Sequence, residues 1–349
     1  MASNISISSK DKLSLISDMA TMLSAGIPIL ESVESLLEGA KGNQRKILLT
    51  LKKDLEQGTK ISESFTRFPK AFDPVTINLI HASEEAGNLD ATLKDLIVNI
   101  KKDIEFSDKV KGALAYPVVV FLVFSVVLIA ILVFVIPRIG QVFTTMRIEL
   151  PLPTKILIFI SNLILQYTSF VIVGLVMLIV GMVVLYKTHR SALLNLIFSL
   201  PLVSTLIRQI DLTRFSRSMS LLLSSGIPVV EALELSNHVV VKKEVTRVIN
   251  YSTTKISAGQ NLSDGFKHYK KTIPSIMIRI TEAGEKTGTL DKSMQELAEY
   301  FDYQVTNTLR TLTVLLEPIM LVVIGVLVGG VMLSIVAPIY GLISQITPH

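Results

Sequence analysis

Residues Leu23-Ser24-Ala25-Gly26-Ile27-Pro28 recur, with one substitution, as Leu223-Ser224-Ser225-Gly226-Ile227-Pro228, 200 positions later. The match continues outward from that hexapeptide. Glu31 and Glu34 correspond to Glu231 and Glu234, and at an offset of 201 Gly58, Ser62 and Phe65 correspond to Gly259, Ser263 and Phe266. Ala82-Ser83-Glu84, followed by Gly87, Leu89 and Asp90, corresponds to Ala283-Gly284-Glu285, followed by Gly288, Leu290 and Asp291. Pro117 and Pro137 find their counterparts in Pro318 and Pro338. A single one-residue change of offset over more than a hundred positions marks an internal duplication.

Each copy reads as helices. In the first, Leu13, Ile16, Ala20 and Leu23 recur at helical spacing, Gly26 supplies a stop, and Pro28 opens a helix with Ile29, Val33, Leu36 and Leu37 on one face. Gly39 and Gly42 loosen the next turn, and Ile47, Leu48, Leu51 and Leu55 line a third helix ended by Gly58. Asp73 is placed to cap a fourth helix with Pro74 in its first turn. Beyond Gly87 a long last helix runs through Leu93, Leu96, Ile97, Ile100 and Ile104 with no stop before an apolar stretch. The expected fold is therefore an all-α membrane protein, with two homologous cytoplasmic helical bundles and three transmembrane helices.

Half of the 349 residues are hydrophobic and the mean hydropathy is +0.55, more apolar than a soluble chain of this length carries. Leu114–Ile136 is free of charge and, at about 1.5 Å per residue, long enough for a hydrocarbon core of about 30 Å. A second uncharged run spans 156–186, with 167–186 expected in the membrane; a third apolar run spans 313–340 and is charged only at Glu317. The chain thus divides into a helical domain at 1–113, a span at 114–136, an external loop and interfacial segment at 137–166, a span at 167–186, a second helical domain at 187–312, a span at 313–340 and an external tail at 341–349. The polar N-terminus has no apolar stretch of the kind a cleaved signal peptide needs, so the first span is expected to serve as a signal-anchor. Lys101, Lys102, Lys109 and Lys111 precede the first span, Lys187 and Arg190 follow the second, and Arg310 precedes the third, after which no Lys or Arg occurs. That bias puts both helical domains in the cytoplasm and the C-terminus outside. Two spans between the domains independently leave them on one face.

Several chemistries are excluded. Without cysteine there is no disulfide, thiolate metal site or cysteine nucleophile. The net charge of +5 is spread without a basic stripe interleaved with aromatics, so nucleic acid is not an expected partner. No phosphate-binding loop, HExxH pair or nucleophile elbow occurs, so the chain is expected to be neither an ATPase nor any other enzyme, and to need no cofactor. Glu84, Glu85 and Asp90, echoed by Glu285, are a weak candidate divalent-cation set whose plainer reading is helix-end charge. Tyr116 reads as an interfacial anchor.

Glu317 stands just inside an uncharged run, with Pro318 removing a helix donor beside it. It is placed either to bind a partner's amine or basic group, or to sit at the interface and favour the helix N-terminal end.

The two LSxGIP segments, the AGExxGxL-type segments, Tyr116-Pro117 and Glu317-Pro318 together resemble the type II secretion F family of inner-membrane platform proteins, which serve type II secretion and type IV pili. Leu150-Pro151 with Thr154, and Leu200-Pro201 ahead of Arg214 and Phe215, extend the likeness to nearly the whole chain. The resemblance implies Gly26, Pro28, Glu31, Gly58, Gly87, Leu89, Tyr116, Pro117 and Pro137 as motif positions in the first copy. In the second it implies Gly226, Pro228, Glu231, Gly259, Gly284, Glu285, Gly288, Leu290, Glu317, Pro318 and Pro338. It further implies a platform in the inner membrane that oligomerises with its own kind and works with a hexameric cytoplasmic ATPase, prepilins or pseudopilins, other inner-membrane machine subunits and the lipid bilayer. Two rival classes are an oligomeric transporter, which would show substrate flux in liposomes, and a membrane-bound signalling adaptor, whose deletion would spare filaments and secretion.

Overall fold

A computed structural model describes residues 5–145 and 201–346, with a few isolated positions between 155 and 166. The described residues are helical and contain no strand. They divide into two compact units, one formed by residues 1–110 and 205–307, the other by 111–204 and 308–349. The expected span at 167–186 lies outside the described residues.

In the first unit, α1 covers Ser9–Ser24, α2 Ile29–Gly39, α3 Gly42–Glu56, α4 Ile61–Thr66 and α5 Pro74–Ala86. The later segment supplies α8 (Pro201–Ser224), α9 (Val229–Ser236), α10 (Lys243–Ser257), α11 (Leu262–Lys267) and α12 (Ser275–Thr287). Helices α6 (Leu89–Ala130) and α13 (Leu290–Ile346) begin in this unit and continue into the other.

Local chemistry explains where these helices start and stop. Ser8 and Asp11 form a reciprocal capping box on α1. The Asp73 side chain accepts from Thr76 N at 2.9 Å at the head of α5, with Pro74 in the first turn, where a missing N–H costs nothing. Gly87 and Gly288 end α5 and α12 in the left-handed region, at φ 70° and 69°, which a side chain would strain. Gly26, Gly226, Gly58 and Gly259 also lie at positive φ, between 76° and 83°.

The core of this unit is one continuous cluster drawn from both segments. Phe65 stacks on Phe72 with ring centroids 3.9 Å apart, and Phe215 meets Phe266 edge-on at 6.2 Å. Two separate bundles were expected; the two segments instead share one compact unit. The segments meet through the Arg217–Asp103 and Lys109–Asp302 ion pairs and through the Arg217 guanidinium over the buried Phe106 ring.

Two further differences concern helix limits. The six-residue α4 is not legible in the sequence, because one and a half turns are too short to display a helical period. The first long helix also passes beyond the expected boundary at 136: a π-turn at Ile131–Val135 leads directly into α7, Ile136–Thr145, so residues 137–145 of the expected loop are helical. Pro137 is the second residue of α7, directly after the π-turn, and removes one backbone donor from the continuing helical course.

In the second unit, α6 and α13 are long and apolar enough to cross a membrane, and almost none of the apolar stretch of either is covered by protein. Val118, Phe121, Leu321 and Val326 are more than 60% exposed. Side chains of this kind left uncovered over whole turns call for a lipid environment.

Candidate functional site

The carboxylates singled out in the sequence are placed by the fold as structural caps. Glu84, on the last turns of α5, accepts from Ile61 N at 2.6 Å, Ser62 N at 3.1 Å and Ser62 Oγ at 2.5 Å. These are the free donors at the head of α4. Glu285, on α12, accepts in the same way from Leu262 N and from Ser263 N (3.1 Å) at the head of α11. A carboxylate at a helix N-terminus satisfies orphan N–H groups and meets the positive end of the helix dipole. Glu85 instead faces Lys60 at 3.3 Å and His81 at 3.6 Å, and Asp90 faces Lys94 at 3.7 Å. Among the described residues no three acidic or histidine side chains converge as a metal site would require. The geometry thus assigns Glu84 and Glu285 to capping, and their oxygens already have partners.

Glu31 and Glu231 lie in the first turns of α2 and α9, directly after Pro28 and Pro228 at the N-cap positions. Leu89 and Leu290 begin the two long helices. Gly284 is buried where α12 approaches α13: an added Cβ would lie 2.7 Å from Ser293 Cβ and 3.2 Å from Leu290 Cα. Ser83 occupies the corresponding place in the first segment, and its hydroxyl donates to Ile80 O at 2.8 Å. Pro117, Glu317, Pro318 and Pro338 lie inside the long helices. Tyr116 is 56% exposed and, with Val118, Val120, Phe121, Leu316 and Met320, borders an apolar cleft of about 440 Å³ in the second unit.

A polar cluster that sequence reasoning missed joins the two segments of the first unit. Arg217 of α8 donates from Nη1 to Asp103 Oδ1 of α6 at 2.6 Å, and its Nη2 lies 3.9 Å from Asp302 Oδ1 of α13. Lys109 of α6 reaches Asp302 Oδ2 at 2.8 Å. The guanidinium also stands 5.6 Å from the centre of the buried Phe106 ring. One cation thereby ties together both long helices and α8. No short-range pattern announces this, since the paired groups are 114 and 193 positions apart.

Two acids, one buried and one half-exposed, add rigidity with opposite electrostatics. Asp211 is fully buried and accepts from Val241 N at 3.0 Å and Lys242 N at 2.6 Å, pinning the chain that leads into α10. Burial pushes its carboxyl up, and the two amides and the nearby Arg214 and Lys242 charges only partly offset this. Asp73 also feels burial as its largest influence, but Lys12, 2.6 Å away, and the Thr76 donors outweigh it and hold the carboxyl below the usual range.

This is a helical chain held together by caps and ion pairs, with two long helices apolar enough to cross a membrane. The family model for type II secretion system protein F matches the chain twice, over residues 15–137 and 215–338, and the chain belongs to that family. It is 30% identical over 346 residues to the type IV pilus assembly protein PilC of Thermus thermophilus, covering 97% of this chain and 84% of that one. It is 28% identical to PilC of Myxococcus xanthus, covering 97% and 82%. With the type II secretion system protein F of Pseudomonas aeruginosa it shares 25% identity over 96% and 84%. Those names describe assembly and secretion rather than catalysis, and a place in the inner membrane fits both the family and the two apolar helices.

Proposed function

We propose that this chain is the inner-membrane platform of a type IV pilus, type II secretion or related filament machine, and that it couples a hexameric cytoplasmic ATPase to the insertion of prepilin or pseudopilin subunits. The observation that carries the reading is the continuity of α6 and α13. Each begins in the packed unit and runs, over 42 and 57 residues, into an apolar stretch without a break in its helical course. A helix of that length, roughly 60–85 Å at 1.5 Å per residue, is stiff enough to convey a tilt or rotation from one end to the other. The ion pairs of Arg217 and Lys109 hold both helices at the level where they leave the packed unit.

In this reading the sequence is an internal duplication with three spans, the helical segments face the cytoplasm and the C-terminus lies outside. The twice-matching family model and the Lys/Arg bias support that arrangement. The platform works as a homo-oligomer with other inner-membrane subunits of the machine. Glu317 serves a partner's amine or basic group, so Glu317→Gln is expected to stop filament assembly while insertion stays normal.

The test is deletion of the gene in its native host, with filaments and secreted proteins measured, combined with reporter fusions after residues 50, 150, 250 and 349. Loss of filament assembly or secretion, with cytoplasmic signals at 50 and 250 and external signals at 150 and 349, is expected. Normal filaments and secretion, or reporters placing 50 and 250 on opposite faces, would overturn the proposal.

A further inference from the structure

The first unit contains a cleft of about 420 Å³ whose charges do not all cancel. Its lining includes three cations and two carboxylates, and most of these are already paired. Lys12 lies 2.6 Å from Asp73, and Arg217 is shared between Asp103 and Asp302. Arg214 is the exception. Half-buried on α8 and part of the cleft wall, it makes no ion pair or hydrogen bond among the described residues and acts only through its field on Asp211.

Neutral donors stand around the same space. The Asn99 amide of α6 lines the cleft and makes no side-chain hydrogen bond among the described residues. Ser218, also in the wall, is more than nine-tenths buried, and its Oγ has no partner. A buried hydroxyl without a partner is destabilising, and a ligand acceptor would recover that loss. The remaining wall is mixed, with Ser9, Thr76, Ser107 and His238 beside Phe106, Ile100 and the Val239–Val241 segment, in which Val240 is extended.

We infer that this cleft binds a carboxylate on a partly apolar body, with Arg214 as its cationic anchor and Asn99 and Ser218 as further donors. The geometry of the donors selects the ligand. The Arg214 guanidinium makes no hydrogen bond or ion pair among the described residues, and its planar fork presents two parallel N–H groups to a carboxylate. A phosphate carries nearly two charges and would call on Lys12 or Arg217, which are held by carboxylates at 2.6 Å. The volume suits either a small organic acid or an acidic side chain, with its apolar neighbours, from a partner protein. The inference does not depend on the filament-assembly reading.

The test uses the full-length protein in lipid nanodiscs and two probes. One is a panel of C4–C8 monocarboxylic acids, read by thermal shift and titration calorimetry; the other is a displayed library of random heptapeptides selected on the protein. Binding to at least one arm is expected, with Asp or Glu enriched beside apolar residues in the peptide arm. Affinity should fall at least ten-fold in Arg214→Ala and less in Arg214→Lys, with Asn99→Ala giving a smaller loss and all three variants keeping the parent melting temperature. The arm that binds identifies the source of the carboxylate. Failure of both arms, equal affinity for Arg214→Ala, or a preference for inorganic phosphate over every carboxylate would overturn the assignment. Should Arg214→Ala unfold, equal affinity for Asn99→Ala and Arg214→Lys would overturn it as well.

Discussion

Arg217 and Asp103, 114 positions apart in the chain, are joined by a 2.6 Å ion pair that locks the start of the later segment to the long helix of the earlier one. The arginine side chain is 14% exposed and the aspartate 54%, so the pair is neither fully solvated nor sealed. Its value comes as much from the guanidinium over Phe106 as from charge.

Truncating this arginine therefore tests packing and electrostatics together. Arg217→Ala is expected to destabilise the first unit by about 1–2 kcal/mol, above the ~0.2–1 kcal/mol typical of exposed pairs. Arg217→Met should recover the packing share, and the remaining loss should shrink in high salt. Denaturant midpoints for the two variants at low and high ionic strength measure this. In a double-mutant cycle with Asp103→Ala, additive losses would contradict direct coupling.

The two capping carboxylates should behave as independent devices. Glu84→Gln and Glu285→Gln each keep one acceptor oxygen and lose the charge, and each is expected to cost about 1–2 kcal/mol. Because they serve different helices and share no partner, the double variant should lose the sum. Hydrogen exchange should quicken at Ile61 and Ser62 in the first variant, and at Leu262 and Ser263 in the second. A divalent cation should not restore either.

Asp73 and the buried Asp211 predict opposite responses to pH. Asp73 titrates below the usual 3.8 when folded, so its contribution is present above that value and is lost as pH falls through the folded pKa. Asp211 titrates above 3.8, so the folded state holds its proton more tightly. Its contribution is greatest below 3.8 and is lost as pH rises through the folded value. Stability profiles of the parent, Asp73→Asn and Asp211→Asn between pH 3 and 8 test the signs. The parent should gain on Asp73→Asn as pH rises, and lose ground to Asp211→Asn.

Close helix approach in the later segment rests on missing side-chain atoms. A Cβ on Gly265 would lie 2.9 Å from Ser252 Cα, a backbone atom that cannot step aside. Gly265→Ala is expected to cost about 1–3 kcal/mol by overpacking. Gly325→Ala meets nothing within 4 Å and should be neutral or slightly stabilising. Chemical melts of the two variants decide the matter, and equal midpoints would contradict the packing argument.

How much of this was legible depends on the range over which each feature acts. The Asp73 cap, the Gly87 and Gly288 stops and the long helices after them are encoded within a few residues, because helix ends are decided by nearby donors, acceptors and φ preferences. The sequence by itself also determined the all-helical class, the matching segments and the apolar stretches, since these are matters of period and composition. Glu84 and Glu285 were visible as a repeated acid, but their role was not: the amides they accept from lie 22 and 23 positions away, on helices too short to show a period. Tertiary structure alone decided that the two segments share one core, that Arg217 bridges both long helices and that Arg214 makes no hydrogen bond or ion pair among the described residues. Those outcomes depend on which faces meet, and a charge's partner is set by distance in space rather than along the chain.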